Sequence, residues 1–294
     1  DWRRKGIGGS DASAISGLNP WKSSMAIWLD KTGQIEPEEA GEAAYWGNVL
    51  ESVVADEFKE RTGFYVQRRN AILQHPDYPW MLANVDRLFR DLEGNWGVLE
   101  CKTTSEWGRK NWTEDEVPAY YLIQVQHYLA VTGYQYGYLA VLIGGNKYKH
   151  YKINRDEEII KYLIDIEKEF WHLVETNTPP AFDGSESSSD VLKKLYPEAE
   201  SGLEIMLPST VQELIELYEQ ASAEEKAAKE RKDEATNKLK GMLGDAEVGV
   251  FGARKVSWKN VNSTRFDSTR FRKDHPDLYG QYVKESSYRR FDLR

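Results

Sequence analysis

The sequence predicts an α/β (α+β) fold: a central mixed β-sheet flanked by helices, followed by a C-terminal appendage made of a long helix and a β-hairpin. Three observations carry this. Strand-like segments at residues 80–104 and 136–153 each fold back across a polar turn. Stretches 44–62, 118–132 and 156–176 repeat apolar residues at helical spacing. From residue 208 the composition changes to a long charged helix and then a basic, aromatic-rich tail. The boundaries this suggests are a core at 1–185, a linker at 186–207 and the appendage at 208–294. With 294 residues, 40% of them hydrophobic, the chain can hold one large domain and is not disordered throughout.

Composition excludes several classes. Cys101 is the single cysteine, so an internal disulfide and a cysteine-based zinc site are ruled out, which suits a reducing compartment. No apolar run approaches the roughly 20 residues of a membrane helix and no signal peptide is visible. The expectation is a soluble cytoplasmic protein without membrane contact. A net charge of −9 argues against coating nucleic acid by bulk electrostatics. Residues 249–294, however, hold eleven Lys or Arg against five Asp or Glu, a local balance of +6, and can touch phosphates.

At the N-terminus, Arg3, Arg4 and Lys5 precede a Gly-x-Gly-Gly turn, Ser10 and a helical turn over 12–15. Small residues beside Arg and Ser make a natural phosphate cradle; a tight turn with Ser10 as N-cap is the equal alternative. Residues 23–31 read as a short amphipathic helix ended by Gly33, and 36–42 as an acidic, solvated linker. In the 44–62 helix, Val49, Leu50, Val53, Val54 and Phe58 are the expected inward positions and Gly63 the stop. Glu51 lies between core positions, either as a boundary carboxylate or as a third acid reaching the following hairpin. Segments 64–69 and 71–74 are short strands, with His75 a loop residue rather than a ligand.

The hairpin runs as a strand over 80–89, a turn over 91–95 and a strand over 96–104. It sets Asp86 beside Glu100. The period of two places Glu100 and Lys102 on one face and turns Cys101 to the other. Two carboxylates with no opposing Arg are costly unless a cation joins them. Oxygen donors without histidine point to Mg²⁺ or Mn²⁺. Lys102 is suited to orient or deprotonate a water, or to neutralise charge on phosphorus. The alternative is a surface hairpin whose Glu and Lys face solvent; the buried reading of Val98, Leu99 and Cys101 argues against it.

Next, Trp107, Arg109, Lys110 and Trp112 interleave in a polar stretch that could stack bases and meet phosphates or form a capping loop. In the 118–132 helix, Pro118 opens, Gly133 closes, and Gln124 and Tyr128 share a face. A hairpin over 136–153 turns at Gly144-Gly145-Asn146, the 156–176 helix points Ile159, Ile160, Leu163, Ile166, Phe170 and Leu173 inward, and Ser-rich 184–190 reads as a flexible connector. The 211–243 helix opens with Glu213 as capping-box partner for Thr210. Its Leu214, Leu217, Tyr218 and Ala221 stripe suits packing on the body or a neighbouring subunit. A hairpin over 248–258 precedes the tail, where Phe266, Phe271, Tyr279, Tyr282 and Phe291 interleave with basic residues.

The Asp86, spacer, Glu100-x-Lys102 arrangement resembles the PD-(D/E)xK nuclease superfamily, with Val85 where that name has proline. Further segments follow in order: Arg3-Arg4-Lys5-Gly6-Ile7-Gly8-Gly9-Ser10-Asp11, Trp46-Gly47-Asn48-Val49-Leu50-Glu51, Asn84-Val85-Asp86 and Gln124-Val125-Gln126-His127-Tyr128. Together they look like the YqaJ viral recombinase family of phage lambda exonuclease-like nucleases, over residues 1–180 closely and 249–294 more loosely. The resemblance implies a restriction-endonuclease-like core and a Mg²⁺-dependent deoxyribonuclease, phage- or prophage-encoded. Its action would run 5′ to 3′ on linear duplex DNA, leaving 3′ single-stranded tails for recombination. It further implies that Asp86, Glu100, the Cys101 carbonyl and Glu51 hold one or two ions, and that Lys102 and Gln124 place the attacking water or a phosphate oxygen. Arg3 and Ser10 would hold the terminal 5′ phosphate, with Arg4 or Lys5 as substitutes for Arg3; Trp107, Arg109 and Tyr128 are further candidate DNA contacts. A ring-shaped homo-oligomer, a trimer, and a single-strand annealing partner belong to the same implication. An endonuclease or single-strand nuclease with the same metal site is the first alternative, and a non-catalytic DNA-binding recombination partner the second.

Overall fold

The computed structural model describes residues 2–36, 41–114, 116–284 and 286–293. Most of the acidic 36–42 linker therefore lies outside the described residues. Two compact units are formed, Asp1–Pro197 and Glu198–Arg294. The first contains α1 (Gly9–Ile15), α2 (Ser24–Lys31), α3 (Glu42–Thr62), β1 (Tyr65–Arg68), β2 (Leu73–Gln74), β3 (Leu82–Ala83), β4 (Arg87–Arg90), β5 (Trp96–Thr104), α4 (Ala119–Thr132), β6 (Tyr136–Ile143), β7 (Lys147–Asn154), α5 (Glu157–Glu175) and α6 (Glu186–Leu195).

Five strands form one mixed sheet in the order β1-β4-β5-β6-β7, with β5 and β6 parallel and the other neighbours antiparallel. A parallel pair cannot be closed by a tight turn, and α4 supplies the crossover from β5 to β6. One face of the sheet packs Phe89, Leu99, Cys101 and Ala140 against Val54, Ala55 and Phe58 of α3. The opposite face packs Val98, Leu139 and Val141 against Val125 and Leu129 of α4. Because β5 alternates, Glu100 and Lys102 fall on the α4 side and Cys101 on the α3 side.

Three local expectations are corrected. In α3, Val49 and Val53 are 44% and 52% exposed, and the stripe that meets the sheet is Val54, Ala55 and Phe58. Glu51 is three, four and seven positions before these, so it shares their face. The first arm of the central hairpin is broken: β3 pairs with β2, and β4 starts afresh at Arg87 after Asn84-Val85-Asp86 leaves the ladder. The Ser-rich connector is ordered. Ser185 caps α6, Asp183 accepts from the hydroxyls of Ser185 and Ser188, and Val191 is buried beside α2 and α5. Ser and Asp read as linker residues because they favour turns, yet the same side chains start helices.

The second unit comprises α7 (Val211–Leu243), the β8 (Val248–Phe251) and β9 (Arg254–Ser257) hairpin, α8 (Ser268–Asp274) and α9 (Pro276–Tyr282). Thr210 makes no side-chain cap bond, so the expected capping box is not formed.

Candidate active site

The β4–β5 ladder pairs Arg87 with Leu99 and Leu88 with Val98, and Asp86, immediately before the ladder begins, lies near enough to Glu100 to feel its charge. Asp86 Oδ2 accepts from the Cys101 amide at 2.8 Å, which fixes this carboxylate against β5. Glu100 is 3% exposed. Its Oε1 accepts from Lys102 Nζ and from Gln124 Nε2, each at 2.6 Å. Gln124 Nε2 also donates to the Tyr128 hydroxyl at 3.0 Å, and that hydroxyl donates to the Asn84 carbonyl at 3.2 Å. A continuous network thus runs from β5 through α4 to the segment that carries Asp86. Glu100 Oε2 is buried and has no hydrogen-bond partner.

The electrostatics follow from this placement. Burial, and then the field of Glu100, pushes the Asp86 carboxyl up to about 8. Burial alone would lower the Lys102 ammonium, but the Glu100 carboxylate against it more than offsets that and holds it above its ordinary value. Lys102 Nζ also lies 4.8 Å from the centre of the Tyr121 ring.

Glu51 does not join the acid pair. Its carboxylate accepts from Arg87, whose guanidinium is buried and also donates to the Asp86 carbonyl. The guanidinium meets Glu51 and only the backbone carbonyl of Asp86, so among the described residues the Asp86 and Glu100 carboxylates have no Arg side chain opposite them: a guanidinium at the head of a buried strand must be paired, and Glu51 on the sheet-facing stripe of α3 is within reach. Among the described residues no group of three or more His, Cys, Asp or Glu side chains stands ready for a metal. The residues nevertheless fit a hard divalent cation. Glu100 presents a buried, unpartnered oxygen beside the half-buried carboxylate of Asp86, and Mg²⁺ commonly takes only one or two carboxylates and keeps several waters.

Arg3, Ser10, Asp86, Glu100, Lys102 and Gln124 line one cleft of about 1020 Å³. Arg3 and Ser10 are exposed within it. Arg4 is held by Asp30 and the Ile35 carbonyl, and Lys5 covers the Trp2 ring; neither lines the cleft as Arg3 does. Helix α1 begins at Gly9 with Gly8 as its N-cap, not at Ser10. Gly9 is required by packing: a Cβ there would stand 2.7 Å from Tyr128 Cε1 and 2.9 Å from Gln124 Cγ.

The other candidate contacts are placed differently. Tyr128 lines the same cleft, but it is 5% exposed and its hydroxyl is engaged. Trp107 is 90% exposed on the turn after β5, and Arg109 pairs with Glu106; neither lines the cleft. Trp112 is buried against Tyr121 and Tyr151.

Sequence reasoning missed four features. Lys31 forms a buried 2.6 Å ion pair with Asp11, and Arg87 pairs with Glu51. Trp21 and α6 residues Ser187 and Lys194 line the cleft. His127, directly beneath the Gln124–Tyr128 pair on α4, is wholly buried; its Nδ1 meets Glu167 Oε1 at 2.8 Å and its Nε2 donates to the Leu82 carbonyl at 2.9 Å. A Glu at an inward heptad-like position of α5, three residues before Phe170, was the legible signal for this pair.

No helix among the described residues is long and apolar enough to cross a membrane. Residues 1–135 match the family model described as the YqaJ-like viral recombinase domain. The chain is 45% identical over 300 aligned positions to the uncharacterized protein YqaJ of Bacillus subtilis (strain 168), covering 99% of this chain and 92% of that one. The fold resembles the crystal structure of an alkaline exonuclease (LHK-Exo) from Laribacter hongkongensis, with a TM-score of 0.50, 20% identity, and coverage of 66% of this chain and 97% of that one. The complex of the same exonuclease with dAMP matches at the same TM-score and identity, with 66% of this chain and 95% of that chain covered. Sustained identity over nearly the whole length of both sequences leaves one assignment: the chain belongs to the YqaJ-like viral recombinase family.

Proposed function

We propose that the chain is a divalent-metal-dependent exodeoxyribonuclease that digests linear duplex DNA from a 5′ end and leaves 3′ single-stranded tails. The observation that carries the reading is the unpartnered oxygen of buried Glu100 beside Asp86, on the floor of a cleft that also holds Arg3 and Ser10. Asp86, Glu100 and the Cys101 carbonyl are the proposed holders of Mg²⁺ or Mn²⁺. Glu51 could join them only by giving up Arg87, and the reading leaves it outside the primary set. When bound, the ion supplies Lewis acidity, making water a better nucleophile and offsetting charge on the phosphate.

The chain's own residues do the rest. Lys102 presents a cationic donor to a phosphate oxygen or the attacking water, held in place by Glu100. Gln124 braces Glu100 and is itself fixed by Tyr128. Arg3 and Ser10 offer a charged donor and a hydroxyl to a terminal phosphate at the other part of the cleft. A site that anchors the 5′ phosphate selects ends over internal bonds.

The test is digestion of linear and closed circular duplexes, with and without a 5′ phosphate, in Mg²⁺ and in EDTA. The expected outcome is metal-dependent loss of the linear, 5′-phosphorylated duplex alone, reduced at least about a hundredfold by Asp86→Ala or Lys102→Ala. Cutting of the closed circle would replace the end-directed reading with an endonuclease. Full activity in EDTA would overturn the metal reading.

A further inference from the structure

Trp21 is 62% exposed on the rim of the cleft that holds Asp86 and Glu100. It is not a loosely tethered side chain. Asn19 Oδ1 accepts from the backbone amides of both Trp21 and Lys22, at 2.9 and 3.0 Å, and Asn19 Nδ2 donates to the Ser13 hydroxyl at 3.0 Å. The indole meets Tyr120 edge to face, with ring centres 5.0 Å apart and planes at 78°. Tyr120 in turn meets Tyr121 at 4.4 Å, and Tyr121 carries the Lys102 ammonium over its ring. Tyr121 rests on Trp112, which is 4% exposed and anchored on Tyr151. An unbroken aromatic series therefore leads from the buried core, past the cationic residue of the site, to an indole presented to solvent.

We propose that Trp21, backed by Tyr120, is a stacking platform for a nucleobase of the DNA end held in the cleft. The inference rests on the nuclease reading of that cleft. A large apolar ring left in water is unfavourable, and here its backbone is pinned so that it stays there. The occupant of the cleft under that reading brings three kinds of surface: phosphate, sugar and base. Only a base has a flat face of matching size. Inside a duplex both faces of every base are covered by neighbours, so an aromatic plane can stack only on a terminal or unpaired base. The platform thus adds a second, sequence-independent requirement for an end, separate from the phosphate. Stacking is tolerant of base identity because every base has such a face.

The experiment measures binding of full-length protein by fluorescence anisotropy in EDTA, so that no DNA is cut. The probes are a blunt 5′-phosphorylated duplex and the same duplex with the two 5′-terminal nucleotides made abasic. Trp21→Ala is expected to bind the intact duplex about 5- to 150-fold more weakly, the range that loss of one stacked base gives. Trp21→Phe should recover most of the affinity. Wild type should lose a similar factor on the abasic duplex, and Trp21→Ala should lose nothing further there, because ring and base are partners in one contact. Equal affinity of Trp21→Ala and wild type for the intact duplex, or losses that multiply, overturns the platform while leaving the nuclease reading in place. Absence of any DNA binding by the wild type overturns both.

Discussion

Glu100 has two donors on one oxygen and none on the other, an arrangement that leaves the second lone pairs for a ligand from the cleft. A ligand that binds only the folded chain raises its stability by mass action. Millimolar Mg²⁺ or Mn²⁺ is therefore expected to raise the thermal midpoint of the wild type, and Glu100→Gln to abolish that rise; an unchanged shift in the variant, read by scanning fluorimetry, would move the ion elsewhere. Gly9 tests the same network from outside. Gly9→Ala drives a methyl into Tyr128 and Gln124, costs about 1 to 3 kcal/mol, and should lower kcat by displacing the amide that braces Glu100. The buried His127–Glu167 pair supplies a pH dependence. Burial alone would lower the imidazole, but Glu167 and the Leu82 carbonyl hold it above its ordinary value of 6.5. A folded-state value raised in this way contributes stability that is fully present below pH 6.5 and is lost as the pH climbs through the folded value. Glu167→Gln, whose amide can donate to a neutral imidazole, should flatten the fall in midpoint above pH 6.5. An unaltered slope would assign the dependence to other groups.

At the scale of elements, what the sequence made legible followed period and punctuation. Strand β5 spans the expected residues 96–104, because a polar turn precedes it and its apolar middle suits a strand packed on both faces, and α4 ends at Gly133 with φ at 72°, where a left-handed stop favours glycine. The acid pair was legible for the same reason: register follows from the turn. What local pattern could not supply was partnership across distance. Arg87 reads as the next residue of a strand until α3 brings Glu51 to it, and that single long-range bond removes Glu51 from the free acids. Likewise, α6 looks like a linker until its one buried valine is seen between α2 and α5. Helix α6 also brings Ser187 and Lys194 to the cleft, so its docking matters beyond stability. Val191→Ala removes two buried methyl groups and should cost about 2 kcal/mol. Hydrogen exchange across residues 186–195 would reveal it as faster opening of α6; unchanged protection would mean that the serine caps and the Ser23–Ser187 contact hold the helix without its apolar anchor.

At the scale of the whole molecule, every cleft residue from Arg3 to Lys194 belongs to the first compact unit, and the basic tail, residues 249–294, belongs to the second, whose other residues are net acidic and cancel that charge. On the proposed reading, the chemistry of the cleft and any attraction exerted by the tail fall to different parts of the chain. A fragment ending at Pro197 retains α6 and the complete cleft, whereas one ending at residue 185 loses the buried Ser188 and Val191. The longer fragment is expected to fold, to keep its metal-induced rise in midpoint and to digest linear duplex; the shorter one is expected to melt at lower temperature. The tail acts in a different currency. Each basic residue that neutralises a phosphate adds about 0.9 to the steepness with which log affinity falls against log salt on duplex DNA. Residues 249–294 carry a local balance of +6, so their removal should make that dependence shallower while leaving the rate on saturating substrate nearly unchanged. Affinity of a chain ending at residue 248 and of the full chain for the same duplex, measured between 50 and 200 mM salt in EDTA, decides the point. Parallel lines would show that the tail makes no phosphate contacts and that its basic residues serve the second unit alone, whereas a shallower line with an intact rate would make it an electrostatic guide for the cleft in the first.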